Sequence, residues 1–182
     1  MNKRQTVYAF IDSQNLNLGT NKDIKDKSRK IIYKGWQLDY KKFRIYLSDK
    51  FHVSRAFLFI GYIKENERLY RNLKRWGYDI IFKPTIKDGF GKAKGNIDAE
   101  LVLHSAAIES KNYDKAVIVS GDGDFYCLHE YLIKQNKLLN IIIPNRYSES
   151  SLLKKFQKYK IFLFREQTKL EFKGNKSGRR RV

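Results

Sequence analysis

Four aspartates mark the ends of apolar or helical patterns along the chain. Asp12 closes one apolar run of strand length, and Asp98 opens a segment of helical period. Asp122 and Asp124 follow a second apolar run, with a single glycine between them. Carboxylates gathered at one sheet edge repel each other unless protons or a hard cation neutralise them, and Mg²⁺ or Mn²⁺ suits an all-oxygen set of ligands. The sequence therefore predicts a divalent-metal site.

Each aspartate also has a purely structural interpretation. A single Asp at the end of a strand is commonly a turn former or a helix N-cap, and Asp122-Gly123 is a turn signal by itself. Ser120 can likewise bond the turn backbone or add a hydroxyl to a site. Because all three acid-bearing segments place an Asp at the same expected edge, with Asn15 three residues beyond Asp12, a shared site is the favoured interpretation.

No other catalytic arrangement stands out among the reactive residue types. His52, His104 and His129 have no partner motif, and the single cysteine, Cys127, excludes an internal disulfide framework and a Cys-rich zinc site. On a helix, His104 lies about 120° around the axis from Asp98, so we expect a partly buried histidine there and not a ligand. The predicted chemistry is attack on a phosphodiester by metal-activated water.

Apolar runs of strand length alternate with helical patterns, which predicts an α/β fold: a three-layer α/β/α sandwich with a mainly parallel sheet of five to six strands. The aspartates converge if the strand before Asp12 neighbours the strand before Asp122. A last run, 161–164, is either an edge strand or the docking end of the final helix. The predicted strands are residues 7–11, 56–63, 78–82, 116–119 and 139–143, and the predicted helices are 38–50, 65–76, 97–110, 125–134 and 148–159.

Domain organisation is predicted as a single domain over residues 1–165 followed by a flexible basic tail, 166–182. Two basic stretches, 17–35 and 84–95, lack a clean period and are predicted to be loops over the active face or disordered connections. No segment approaches the roughly 20 apolar residues of a membrane span, and the first 12 residues lack the apolar core of a signal peptide. We therefore expect a cytoplasmic protein.

Charge points to a polyanionic partner, because 38 Lys and Arg against 19 Asp and Glu give a net charge of +19. Nucleic acid is favoured over an anionic membrane surface. Aromatic and basic side chains interleave in the basic stretches, as in sites that stack bases and bind phosphates, although Trp36 could instead anchor the following helix to the core. The predicted nucleic-acid contacts are Tyr33, Lys34, Trp36, Phe90, Lys92, Lys94, Arg179, Arg180 and Arg181.

Three sequence blocks, FIDSQNL at 10–16, KGNIDAEL at 94–101 and SGDGDF at 120–125, resemble the signature blocks of the NYN domain. This is a family of the PIN-like ribonuclease superfamily that includes the LabA/DUF88 proteins, and the order and spacing of the blocks match over residues 7–156. The resemblance implies a PIN-like, Rossmann-related fold and a Mg²⁺- or Mn²⁺-dependent ribonuclease that acts on RNA, with single strands favoured. It also implies that the metal ligands are Asp12, Asp98, Asp122 and Asp124, with Asn15 orienting a water or a phosphate.

Two alternative functions stay open at this point. One is a catalytically weak or inactive regulatory protein of the same fold that binds nucleic acid. The other is a phosphatase of the haloacid dehalogenase type, which also has a Gly-Asp pair in a late acidic turn. Against the phosphatase, Asp12 is followed by Ser13 and Gln14 where such enzymes need Asp-x-Asp. A homo-oligomer is possible for this fold, but the sequence indicates no interface.

Overall fold

A six-stranded parallel sheet forms the centre of the computed structural model, which describes residues 5–83, 86–87, 93–94 and 97–174. The strands are β1 Val7–Asp12, β2 Ile24–Lys25, β3 Ile31–Tyr33, β4 Val53–Gly61, β5 Tyr78–Lys83, β6 Ile86–Lys87, β7 Ala93–Lys94, β8 Lys115–Val119, β9 Leu138–Ile143 and β10 Lys160–Phe162. The central sheet has the order β10-β9-β8-β1-β4-β5, and β2-β3 and β6-β7 form two small antiparallel pairs.

Helices cover the central sheet, and the α-helices are α1 Ser13–Asn21, α2 Tyr40–Phe51, α3 Glu67–Arg75, α4 Ile97–Leu103, α5 Tyr126–Lys134 and α6 Gln167–Leu170. Alternate residues of β1 enter two separate cores, because successive side chains of a strand point to opposite faces. Ala9 and Ile11 pack in the core that contains Phe43 of α2. Phe10 packs in the other core, with Leu101 of α4. The predicted three-layer α/β/α architecture is therefore confirmed.

The strand predictions agree with the structure, and the strand before Asp12 lies beside the strand before Asp122 as expected. All five predicted strands are present, and β1 lies between β8 and β4. The run at 161–164 contributes an edge strand, since β10 pairs in parallel with β9. These runs are predictable because strands covered on both faces must be apolar along their whole length.

The prediction that residues 17–35 form a loop is wrong for most of that stretch. Residues 13–21 form α1, and 24–33 form the hairpin β2-β3. The backbone N–H of Trp36 donates to the carbonyl of Thr20 at 2.9 Å, which returns the chain to the end of α1. Gly35 is required there, since a Cβ atom would lie 2.1 Å from the carbonyl oxygen of Asn21.

Two helical predictions are also corrected. The segment 148–159 is not a regular α-helix: Ser151–Tyr159 is 3₁₀-helical, with non-helical backbone angles at Phe156. The predicted helix 97–110 begins as α4 and continues as a π-helical segment, His104–Ile108. Short 3₁₀ and π segments occur at the ends of α-helices or within them, and the apolar spacing of these stretches did not indicate where the helix type changes.

The predicted domain boundary at residue 165 lies too early. Leu170 is only 2% exposed and packs in the core of α2, and Glu171 forms an isolated β-bridge with Leu38. The chain is therefore part of the packed domain to at least residue 172, where the N–H of Phe172 donates to the carbonyl of Gln37. Among the described residues, none of the helices is long and apolar enough to cross a membrane.

Candidate active site

A cleft of about 270 Å³ opens at the carboxyl edge of the central sheet. Three of the four predicted aspartates line it, and each comes from a different element: Asp12 ends β1, Asp98 opens α4, and Asp122 follows β8. This is the edge at which α/β proteins bind ligands. The residues that line it, among those the structure describes, are Asp12, Gln14, Asn15, Leu18, Lys83, Asp98 and Asp122.

Asp12 both caps a helix and faces the cleft. Its Oδ1 accepts hydrogen bonds from the backbone N–H groups of Gln14 and Asn15, each at 3.0 Å, so it is the N-cap of α1. Its Oδ2 lies 3.4 Å from the Ser120 hydroxyl, which donates to it. The capping interpretation and the site interpretation of Asp12 are therefore compatible, because the two carboxylate oxygens have separate tasks.

Asn15 connects α1 to the acidic turn, which we define as residues 120–124. Its Oδ1 accepts from the backbone N–H of Gly121 at 2.8 Å, across the boundary between β1 and β8. The Ser120 hydroxyl accepts from the N–H of Asp122 at 3.1 Å, and Asp122 Oδ1 accepts from the N–H of Asp124 at 3.0 Å. Both interpretations of Ser120 hold, since its hydroxyl contacts the turn backbone and Asp12.

The segment after β9 forms a hydrogen bond with the acidic turn. The N–H of Ser150 donates to the carbonyl of Gly121 at 3.0 Å. A Cβ atom at position 123 would meet the Ser150 hydroxyl oxygen at 2.3 Å, so only glycine fits between the two aspartates. Asp122 lines the cleft, whereas Asp124 is exposed and is not among the described lining residues.

The three lining carboxylates influence one another electrostatically. Burial raises the pKa of Asp12, the charges of Asp98 and Asp122 raise it further, and the backbone hydrogen bonds from Asn15 and Gln14 oppose the rise. Burial likewise raises the pKa of Asp98, together with the charges of Asp122 and Asp124, and Lys83 opposes it. Asp124 thus acts on the site through its charge although it does not line the cleft. Acids that disfavour each other's ionisation are typical of functional sites.

Lys83 is a site residue that the sequence analysis did not identify. It is the last residue of β5, it is only 7% exposed, and it lines the same cleft. Burial lowers its pKa, while the charges of Asp98 and Asp12 act in the opposite direction. A signal existed in the sequence, because Lys83 follows an apolar run in the same way as Asp12 does, and the carboxyl-edge argument applies equally to both.

The donor chemistry of the cleft fits a hard divalent cation. In the parts of the chain that the structure describes, no group of three or more His, Cys, Asp or Glu side chains has an arrangement that could hold a metal ion. However, Mg²⁺ is usually held by one or two carboxylates, with waters and substrate phosphates completing its shell. Oδ2 of Asp12 is free of the helix cap, and Asp98 and Asp122 line the same space. These carboxylates fit that mode of binding and not an all-protein cage.

The prediction that Tyr33 and Trp36 stack on bases is corrected by their burial. Tyr33 is 8% exposed and donates its hydroxyl to the carbonyl of Thr20 at 3.1 Å, and Trp36 is 3% exposed in the same core. Neither ring is accessible for stacking on a base. Trp36 instead packs in the core, which was the alternative prediction for this residue. Lys34 is exposed. The remaining predicted contacts lie outside the described residues, or have undescribed side chains: Phe90, Lys92, Lys94, Arg179, Arg180 and Arg181.

His104 has the partly buried position expected of it. Its ring packs edge-on against Phe59, with 5.4 Å between ring centroids, and its Nε2 lies 3.9 Å from a carboxylate oxygen of Glu100. Neither His104 nor Glu100 lines the cleft. The position of His104 therefore agrees with its expected separation from Asp98 around the helix axis.

Comparison with known proteins agrees with this geometry. The model of the NYN domain family matches residues 6–163, which include all three acid-bearing blocks. A crystal structure of a protein of unknown function from Vibrio parahaemolyticus has the same fold: the TM-score is 0.64 at 20% sequence identity, covering 90% of this chain and 96% of that one. None of the curated proteins compared with the chain matches it. The chain therefore belongs to the NYN domain family, a PIN-like family with a nuclease-type fold.

Proposed function

We propose that the protein is a Mg²⁺- or Mn²⁺-dependent ribonuclease that hydrolyses phosphodiester bonds of single-stranded RNA. The observation that carries this proposal is the meeting of Asp12, Asp98 and Asp122 from three separate elements in one cleft. Membership of a PIN-like nuclease family supports the same reaction class. A nuclease-type fold alone would not be enough, because function depends on the site and not on the fold.

The acids and their supports have distinct tasks in this proposal. One or two of the carboxylates of Asp12, Asp98 and Asp122 would bind the cation directly and the remainder through water, with Asp124 adding negative charge from outside the cleft. When bound, the cation supplies an activated water and stabilises the leaving oxygen. Asn15 and Ser120 position the acids: Asn15 joins α1 to the acidic turn, and Ser120 bonds both Asp12 and the turn.

The hairpin after α1 would bring the polyanion to this edge. We define the basic hairpin as residues 22–35, in which six exposed cations outnumber two aspartates. Phosphate contacts of this kind depend steeply on salt, because each one releases condensed counterions. The cations are Lys22, Lys25, Lys27, Arg29, Lys30 and Lys34.

A cleavage assay with matched variants tests the proposed reaction. Labelled single-stranded RNA is incubated with wild-type protein in Mn²⁺, in Mg²⁺ and in EDTA, alongside DNA of the same sequence. We expect cleavage of the RNA with either cation, none in EDTA, and none by Asp122→Asn. The control variant Asp79→Asn removes an acid from the same domain outside the cleft and should cleave as the wild type does. Equal cleavage by Asp122→Asn, or in EDTA, would refute the assignment.

A nucleic-acid-binding protein without turnover is the second candidate function. It is favoured by the lack, among the described residues, of a group of three acids arranged to hold a metal ion. Fluorescence anisotropy with the same RNA separates the two functions. Binding that weakens with rising salt, without cleavage in either cation, would support the binding protein and exclude the nuclease.

A further inference from the structure

We propose that Lys83 contacts the phosphate group at the reaction centre, with its ammonium group donating to a non-bridging oxygen. This inference rests on the proposed nuclease function and assigns that site a further substrate-binding residue. Its basis is the position of Lys83 in the same cleft as the three acids, combined with a degree of burial that is unusual for lysine.

The register of the sheet places Lys83 and Asp12 on the same face. Asp12 pairs with Phe59 of β4, and Phe59 pairs with Ile81 of β5, so these three residues point to one side. Lys83 is two residues beyond Ile81 and therefore points to that side as well. β1 and β5 are two strand spacings apart, about 10 Å. Lys83 and Asp12 thus line the cleft from two different strands, with β4 between them.

Charge balance gives this lysine a reason to be in the cleft. The three lining carboxylates and one ammonium group leave a formal charge of −2 when all are ionised. An RNA phosphodiester is itself an anion, so it enters such a site only beside positive charge. One divalent cation reduces the charge of the three carboxylates from −3 to −1, and the ammonium group of Lys83 brings this sum to zero, so that the phosphate meets no net negative charge from these groups. Preorganised charges of this kind stabilise a transition state at which negative charge increases on phosphate oxygens.

A second buried lysine shows what a purely structural role looks like. The side chain of Lys160 is 1% exposed and forms an ion pair with Glu149, away from the cleft. Glu149 precedes the 3₁₀ segment that leads into β10, so that pair joins two neighbouring parts of the chain. Lys83 instead lines the same cleft as Asp12 and Asp98, and the charges of both acids act on it.

The test compares Lys83→Met with Lys64→Met, a control that follows β4 at the same edge of the sheet but is exposed. If Lys83 binds the phosphate, kcat/KM for RNA should fall by about 100-fold or more in Lys83→Met and stay unchanged in Lys64→Met. Mn²⁺ binding, followed by calorimetry without RNA, should be unchanged or tighter, since a cation beside the carboxylates has been removed. Lys83→Gln serves in the same way if the Met variant does not fold.

The opposite results would overturn the inference. If Lys83 only holds the acids in place, Lys83→Met should bind Mn²⁺ more weakly and unfold at a lower temperature, with activity falling as a consequence. Unchanged kcat/KM in a folded Lys83 variant would also exclude phosphate contact, while leaving the nuclease function intact. A wild-type protein that cleaves no RNA in either cation would remove the proposed function and this inference together.

Discussion

Acids occupy both ends of one face of the sheet, and they are treated differently at each end. Near the amino end, Arg55 contacts Asp79 at 3.0 Å and Glu109 at 3.6 Å, and its guanidinium lies 4.6 Å from the centre of the Phe57 ring. At the carboxyl end, Asp12, Asp98 and Asp122 line one cleft, where burial and the charges of neighbouring aspartates raise the pKa values of Asp12 and Asp98. Asp79 and Lys83 belong to the same strand and point to the same side.

The contrast separates acids with a structural role from those that we propose to be functional, and it does so better than charge composition does. Because the chain has 38 basic residues, an acid with a stabilising role can readily form an ion pair, as Asp79 and Glu109 do with Arg55. Acids that are gathered from several elements, and that oppose each other's ionisation, lower stability and are retained for another purpose. The comparison therefore predicts opposite responses to the same Asp→Asn substitution at the two ends.

The largest expected effect is on catalysis. Asp12→Asn keeps an amide oxygen to cap α1 but loses a charged ligand, so cleavage of RNA should fall by more than about 100-fold, because even residues that only support metal ligands are worth 10- to 100-fold. Asp79→Asn should retain wild-type activity. Initial rates at saturating Mn²⁺ measure both. Similar losses in the two variants would show that the ends of the sheet do not differ in function.

The acids at the carboxyl end could be predicted from sequence because each one follows or precedes an easily recognised element. The runs before Asp12 and Asp122 are apolar throughout, and burial on both faces leaves little freedom in interpreting them. Their meeting at one edge then follows from parallel strands in neighbouring positions. Lys83 was missed although it ends the run of β5, because a lysine after a strand usually extends into solvent.

Elements that depend on tertiary contacts were not predictable in the same way. The sequence of α1 is rich in Asn and has no apolar period, and the helix is held by the Asp12 cap and by burial of Leu16. The prediction that Tyr33 and Trp36 contact nucleic acid rests on their position among basic residues. Their burial follows from the return of the hairpin to the end of α1, a contact that no local pattern indicates.

His129 tests whether burial of a titratable group is enough to mark a site. Its ring is fully buried against Phe156, neither ring nitrogen has a hydrogen-bond partner among the described residues, and burial lowers its pKa to about 4. The unfolded chain takes up this proton near pH 6.5, so His129 reduces stability as the pH falls from about 6.5 to 4, by roughly 3 kcal/mol in total. Urea unfolding of wild type and His129→Leu across this range should reveal the difference.

The same His129→Leu variant should cleave RNA as the wild type does. His129 lies in the core and is not part of the lining of the cleft, so its burial has no counterpart in the chemistry. A loss of activity at neutral pH in a variant that remains folded would contradict this. It would mean that burial of a titratable group, without neighbouring charges, is a sign of function in this protein.

Cation binding should stabilise the folded protein only when Asp12 in the cleft is intact. A ligand that binds only the folded state at 100 times its dissociation constant adds about 2.7 kcal/mol to the free energy of unfolding. We expect Mn²⁺ to raise the melting temperature of the wild type and of Asp79→Asn, and to leave that of Asp12→Asn unchanged. Differential scanning calorimetry with and without Mn²⁺ measures the shifts. An equal increase in all three proteins would place the bound ion elsewhere.

The smallest effect is the most direct test of the comparison, because its sign differs between the two ends. The folded state raises the pKa of Asp98, chiefly by burial and then by the charges of Asp122 and Asp124, so it binds that proton more readily than the unfolded chain does. The free energy of unfolding therefore decreases as the pH rises from the pKa of Asp98 in the unfolded chain to its higher pKa in the folded state. At neutral pH the ionised Asp98 is destabilising. In EDTA at pH 7, Asp98→Asn should raise the free energy of unfolding slightly, and the gain should disappear in acid, where Asp98 is protonated in both states. Asp79→Asn should lower it, by no more than about 1 kcal/mol, since the Arg55–Asp79 pair is partly exposed. Urea titrations of the two variants give both values, and a destabilised Asp98→Asn protein in EDTA would show that this acid is held in place by stabilising contacts after all.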